Sequence, residues 1–217
     1  MHSFADILFT PDVQAEQERF GVREKFQKVY QNRFKGDLDE RTCTFIETRT
    51  SFYMATISQS NWPYIQHRGG PVGFLKVLDG KTLGFADYHG NQQFISMGNL
   101  KSNNRVSMIL MDYPTQSRLK LVGHMIMVDA VDDPKLVERV KVDGEGPVER
   151  VAKIDISAMD WNCPKYIEQR YTQDEVLALV GPQLAKRDQT IAQLKHKLLE
   201  LGVDADEYLA AQLENDK

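Results

Sequence analysis

Three short stretches of this 217-residue chain combine donors, glycines and element ends in a way that suits an anion. The first is Phe85-Ala86-Asp87-Tyr88-His89-Gly90-Asn91-Gln92-Gln93, where a strand gives way to a Gly-containing turn and a helix that Asn91 is placed to cap. A helix start exposes unpaired backbone N–H groups and a partial positive charge, which suits a phosphate. Asn91, Gln92 and Gln93 add side-chain donors. The second is Gln66-His67-Arg68-Gly69-Gly70-Pro71. Arg68 offers a planar fork of donors, and the two glycines permit close backbone approach. The third is Arg118-Leu119-Lys120, which on a strand puts two cations on one face, where they repel unless an anion or acidic partner sits beside them. Taken singly, each is better explained as ordinary structure: a capped helix, a strand end with a surface arginine, a solvated strand face.

Later residues add less. Trp161, in Asp160-Trp161-Asn162-Cys163-Pro164, is suited to stacking on a planar ring or to plugging a barrel end, and Arg170 follows it. Cys43 and Cys163 are the two cysteines; neither has a base or a metal-ligand spacing, and both read as packed thiols. The five histidines are scattered, so no metal site is expected.

The elements that position these residues are legible from periodicity. The first 35 residues read as helical, with Thr10 as a cap, Pro11 in a first turn and Gly21 as a break. From Thr44 the period changes to that of strands. Ser51 to Ile57 and Trp62 to Arg68 form a hairpin around Ser58-Gln59-Ser60-Asn61, and Phe74 to Leu78 and Thr82 to Ala86 flank Asp79-Gly80. Val106 to Met111, Leu119 to Val128 and Val151 to Ala158 are further strands, with a short helix from Asp133-Pro134 towards Val142. Phe94, Met97 and Leu100 mark a helix over 91–99. Six or seven strands without βαβ alternation predict a mostly antiparallel barrel. After Thr172 a helical pattern returns, with Leu184, Ile191 and Leu198 seven apart and Gly181-Pro182 expected to interrupt it. That seam suits a partner or the chain's own barrel.

Composition sets the limits. Hydrophobic residues at 41% and charged residues at 27% are ordinary for a globular protein. A net charge of −4 argues against nonspecific nucleic-acid binding. No apolar run approaches the roughly 20 residues needed to span a bilayer. With no basic-then-apolar start at Met1-His2-Ser3-Phe4, a cytoplasmic location is expected.

In their order along the chain these signals resemble the pyridoxamine 5'-phosphate oxidase-like family of FMN-binding split barrels. The resemblance spans roughly Arg41 to Arg170 and rests on four strings: Trp62-Pro63-Tyr64-Ile65-Gln66-His67-Arg68-Gly69-Gly70-Pro71, Gly84-Phe85-Ala86-Asp87-Tyr88, Met111-Asp112-Tyr113-Pro114 and Asp160-Trp161-Asn162-Cys163-Pro164. It implies a mainly β (α+β) chain built on a six- to seven-stranded antiparallel split barrel. N-terminal helices would occupy 1–40, the FMN-binding barrel 41–171 and a helical extension 172–217. It also implies a homodimer with FMN at the interface. Gln66, His67 and Arg68 would run along the ring and ribityl chain, and Asp87, Tyr88, Asn91, Gln92 and Gln93 would hold the phosphate. Arg118 and Lys120 would reach the flavin from the second chain, and Trp161 and Arg170 would face ring or substrate. Two departures follow. Asn91-Gln92-Gln93 stands where the vitamin B6 oxidases carry Ser-Arg-Lys, and Glu168-Gln169-Arg170-Tyr171-Thr172 lacks their Arg-x-His motif. The expectation is therefore an FMN-dependent oxidoreductase acting on a small molecule other than pyridoxamine phosphate, with His67 as candidate proton donor. A non-catalytic flavin-binding or redox-sensing dimer, and a barrel holding haem or a deazaflavin, are the alternatives.

Overall fold

Seven stretches rich in alternating or continuous apolar residues become strands: β1 (Ser51–Ile57), β2 (Pro63–Gly69), β3 (Lys76–Asp79), β4 (Thr82–Tyr88), β5 (Arg105–Asp112), β6 (Ser117–Asp129) and β7 (Val148–Trp161). The structure, a computed structural model, describes residues 1–31, 36–161 and 164–205. The strands pair antiparallel in the order β2-β1-β5-β6-β7-β4-β3. Phe52 and Met54, Met108 and Leu110, Leu119 and Leu121 fall on one face of the sheet by the two-residue period, and all are buried in one core. Both expected hairpins form. At the first, Ser58 N–H closes on the Trp62 carbonyl at 2.9 Å. Gly123 sits at a register shift between β6 and β7, where a Cβ would collide with the Asp155 carbonyl.

The sheet is open. β2 is one edge and β3 the other, and no backbone ladder joins the two ends among the described residues. Side chains cross the gap instead. Arg68 on β2 pairs with Asp87 on β4 at 3.3 Å, and Gln66 donates to Ser96 Oγ at 2.9 Å. Beneath them Phe52 stacks on Phe74, with centroids 5.8 Å apart. This is the split of a split barrel: a seven-stranded mainly β fold with helices at both termini.

The helices follow from caps and breaks. α1 (Phe4–Leu8) precedes α2 (Pro11–Arg19), where Thr10 accepts from Val13 N–H and Pro11 takes the first position. Gly21, at φ 67°, separates α2 from α3 (Arg23–Tyr30). A helix absent from the sequence reading, α4 (Glu40–Glu47), starts at Asp39, whose carboxylate accepts from Thr42 N–H at 2.8 Å. It buries Thr42 and Ile46, one turn apart. Asp133 caps α6 (Pro134–Val140), which packs Leu136 and Val140 on Val151.

Two expectations are corrected. The helix expected over 91–99 is α5 (Ile95–Ser102), and its cap position is Phe94, not Asn91. Asn91 instead accepts from Gln93 N–H at 3.4 Å, closing a local turn that keeps 91–93 out of the helix. Gly181-Pro182 does not interrupt the C-terminal helix, α7 (Gln173–Glu200). Proline removes one intrahelical donor there, and the carbonyl it frees, that of Ala178, belongs to an exposed residue that water can serve.

The chain divides into two compact units, Met1–Glu168 and Gln169–Lys217. Thr172 caps α7 with Glu175 in a reciprocal capping box. Among the described residues no helix is long and apolar enough to cross a membrane.

Candidate functional site

The gap between the sheet's ends is also where two of the three anion-suited stretches gather. On β2 the two-residue alternation half-buries Tyr64, Gln66 and Arg68 and leaves Ile65 and His67 on the other, exposed face. His67 meets Tyr53 edge-on there, 5.5 Å between centroids, while still contributing to the cavity lining. Opposite β2, strand β4 ends at Asp87-Tyr88, and the 89–94 loop carries the chain to α5. Together they enclose a cavity of about 460 Å³, within the span of small-ligand sites.

Asp87 organises the floor. Its Oδ1 accepts from Arg68 Nη1 at 3.3 Å, and its Oδ2 accepts from Arg150 Nε at 3.0 Å. Arg150 reaches it because the β4–β7 register sets Asp87 directly opposite Arg150. Glu149 binds Arg150 Nη2 at 2.6 Å and the His89 ring at 2.8 Å. Burial draws the Arg150 pKa down, but hydrogen bonds and charge from Asp87 and then Glu149 outweigh it and leave it raised. The hydrogen bond from His89, aided by Arg150, holds the Glu149 carboxyl below its usual range. Arg68 Nε is buried and has no hydrogen-bond partner among the described residues.

The loop above is held in an uncommon shape. Gln92 and Phe94 both have positive φ, 58° and 51°, a conformation that costs non-glycine residues about 1 kcal/mol or more each. Gln92 is held by His89 at 3.2 Å. The Phe94 ring lies 5.6 Å from the Arg150 guanidinium. Because Phe94, the cap position of α5, makes no side-chain cap, the N–H groups of the first turn lack the usual acceptor. Ile95, Ser96 and Met97 bring that turn to the cavity wall.

Gln66, His67, Arg68, Asp87, Tyr88, Asn91, Gln92 and Gln93 thus line one cavity. Tyr88 has a structural duty as well: its Oη accepts from Val142 N–H at 2.7 Å. Arg118, Lys120 and Trp161 lie elsewhere. Arg118 stands across from Met111, and Lys120 between Ile109 and Asp160. Trp161 packs edge-on against Phe45 at 4.6 Å, with Arg41 5.4 Å from its ring. Arg170 belongs to the second unit. Cys43 has a thiol pushed up by burial and by Glu47, while Cys163 lies outside the described residues. No cluster of His, Cys, Asp and Glu suited to a metal occurs among the described residues. Arg150 and Glu149 escaped the sequence reading, because only the pairing of β4 with β7 brings Arg150 to Asp87 and Glu149 to His89.

A family model described as pyridoxamine 5'-phosphate oxidase matches residues 38–160, more than half of the chain. The chain belongs to the pyridoxamine 5'-phosphate oxidase family. The match takes in β1 to β6, most of β7 and every cavity residue named above. Solved structures similar to this family member include HupZ of Group A Streptococcus, at 14% identity over 62% of this chain and 99% of that one, TM-score 0.46. A protein related to general stress protein 26, of the pyridoxinephosphate oxidase family, from Clostridium acetobutylicum is 16% identical over 64% and 99%, TM-score 0.43. An F420 reductase is 19% identical over 57% and 98%, TM-score 0.41. No curated protein matches the sequence.

Proposed function

We propose that this member of the pyridoxamine 5'-phosphate oxidase family binds FMN in the cavity between β2, β4 and α5. In this reading it is a cytoplasmic oxidoreductase acting on a small molecule other than pyridoxamine phosphate. The observation that carries the reading is the convergence of Arg68, with its buried orphan Nε, and the uncapped first turn of α5 on one cavity of about 460 Å³. Both features suit a phosphate ester, through charge-assisted hydrogen bonds and the helix-terminal partial charge. Gln66, Arg68, Gln92, Gln93 and the backbone of α5 are the groups that would hold it. Tyr64 and His67 line the same cavity and would contact the rest of the molecule. Bound flavin supplies hydride or electron-pair transfer, which side chains do not provide. The chain's part is to orient the ring, exclude water from one side and, at His67, hold a proton. The active form in this reading is a homodimer, with Arg118 and Lys120 on the outward side of β6 reaching the flavin held by the second chain.

The test is the absorption spectrum of fresh protein, followed by addition of FMN. Bound FMN at about a hundred times its dissociation constant stabilises the fold by about 2.7 kcal/mol. A colourless protein that neither takes up FMN nor gains melting temperature with it refutes the reading. Reduction of the bound flavin by NADH or NADPH, with turnover on oxygen or a quinone, separates the oxidoreductase from a flavin-binding sensor.

A further inference from the structure

We propose that Arg150 is the second arginine of a phosphate-monoester clamp with Arg68, supplying charge that Gln92 and Gln93 do not. The proposal rests on the flavin reading above and assigns a specificity-determining residue within it. Gln92 and Gln93 are exposed neutral amides, and Gln92 is already engaged by His89. Arg150 comes from a different strand, β7, and enters the cavity wall only through the β4–β7 register.

Its surroundings orient it. One carboxylate, Asp87, uses a separate oxygen for each arginine, so the two forks are held side by side. The Phe94 ring restrains the Arg150 guanidinium from another side. The Arg150 side chain is 16% exposed, so a charge arriving beside it is weakly screened. A guanidinium carries five N–H donors; Asp87 and Glu149 together engage only Nε and Nη2 of Arg150. The carboxylates of Asp87 and Glu149 hold the guanidinium forks in place, so a phosphate meets paired, charged N–H donors. That sets the scale: a lost charge-assisted hydrogen bond weakens binding by about 10- to 100-fold.

The experiment titrates wild type, Arg150→Gln and Glu149→Gln with FMN and with riboflavin, which lacks the phosphate, following flavin fluorescence. Wild type is expected to prefer FMN. Arg150→Gln is expected to lose about 10- to 100-fold in FMN affinity with riboflavin changed less than about twofold. Glu149→Gln, which frees Arg150 from a competing carboxylate, is expected to tighten FMN and leave riboflavin unchanged. It keeps the proposal testable should Arg150→Gln fold poorly. Equal weakening of both flavins by Arg150→Gln, or no effect of either substitution on the FMN-to-riboflavin ratio, overturns the clamp and leaves the flavin reading standing. A wild-type protein that binds neither flavin overturns both.

Discussion

Replacing Asp87 with Asn tests how much the carboxylate shared by Arg68 and Arg150 stabilises the fold. The amide keeps the shape and one acceptor but removes the charge that two arginines share. Arg150 makes two 3.0 Å contacts to Asp87, with side chains 16% and 12% exposed, so that hydrogen-bonded pair contributes about 1.5–3 kcal/mol. The Arg68 contact is longer, 3.3 Å, and its side chain is 32% exposed, so solvent screening reduces it to about 0.2–1 kcal/mol. Together the loss is about 2–4 kcal/mol, a fall of about 5–12 °C in melting temperature for a unit of this size. Thermal unfolding of wild type, Asp87→Asn, Arg150→Met and the double variant gives both the loss and the coupling. The fall should persist in 0.5 M salt, because the Arg150 contact is mostly buried. A fall below about 1 °C, or strict additivity of the two substitutions, refutes the argument that Asp87 and Arg150 act as one buried pair.

Other outcomes follow from particular residues. Gly123→Ala is expected to cost about 1–3 kcal/mol or more, because the new methyl meets the Asp155 backbone, and a urea melt reads it directly. Asp39→Ala should cost about 0.5–1 kcal/mol at neutral pH, at the low end for a cap because the residue is exposed. Its carboxyl is held low first by the hydrogen bonds from Thr42, so this stabilisation is present above the unfolded-state pKa and disappears as pH falls through the folded one. The wild-type and Asp39→Ala melts should therefore converge in acid; a constant gap down to pH 2 contradicts the assignment. In a Cys163→Ser background, Cys43 is expected to react with iodoacetamide more slowly at pH 7.5 than a free thiol, since burial first and Glu47 next raise its pKa. Removal of 172–217 should leave flavin binding intact; loss of flavin on truncation would show that the C-terminal helix completes the site.

Most of the sheet was legible because its signals are local. Asp79-Gly80, Ser58-Gln59-Ser60-Asn61 and the strand-forming run Phe52 to Ile57 each act within a few residues. α4 was hidden because Thr42, Thr44 and Ile46 are β-branched and suggest a strand; Asp39 as cap and burial of Thr42 and Ile46 decide for the helix. The start of α5 was misplaced because Asn91 satisfies its own turn and Phe94 takes the left-handed conformation, which its residue type does not announce. The cavity residues from β2 and the 87–93 segment were legible as anion-suited element ends. Arg150 was not, since its neighbour Asp87 is 63 residues away in sequence and only the ladder brings them together.

The open seam has a consequence for how such a protein changes. In a barrel closed by a hydrogen-bonded ladder, circumference follows strand number and stagger, and altering it requires re-registering whole strands. Here the last joint is Arg68 to Asp87 and Gln66 to Ser96, so its width scales with the reach of individual side chains. A single codon change there resizes the mouth of the cavity while every ladder stays in register. Ligand breadth becomes adjustable in small steps, with the sheet conserved as a frame.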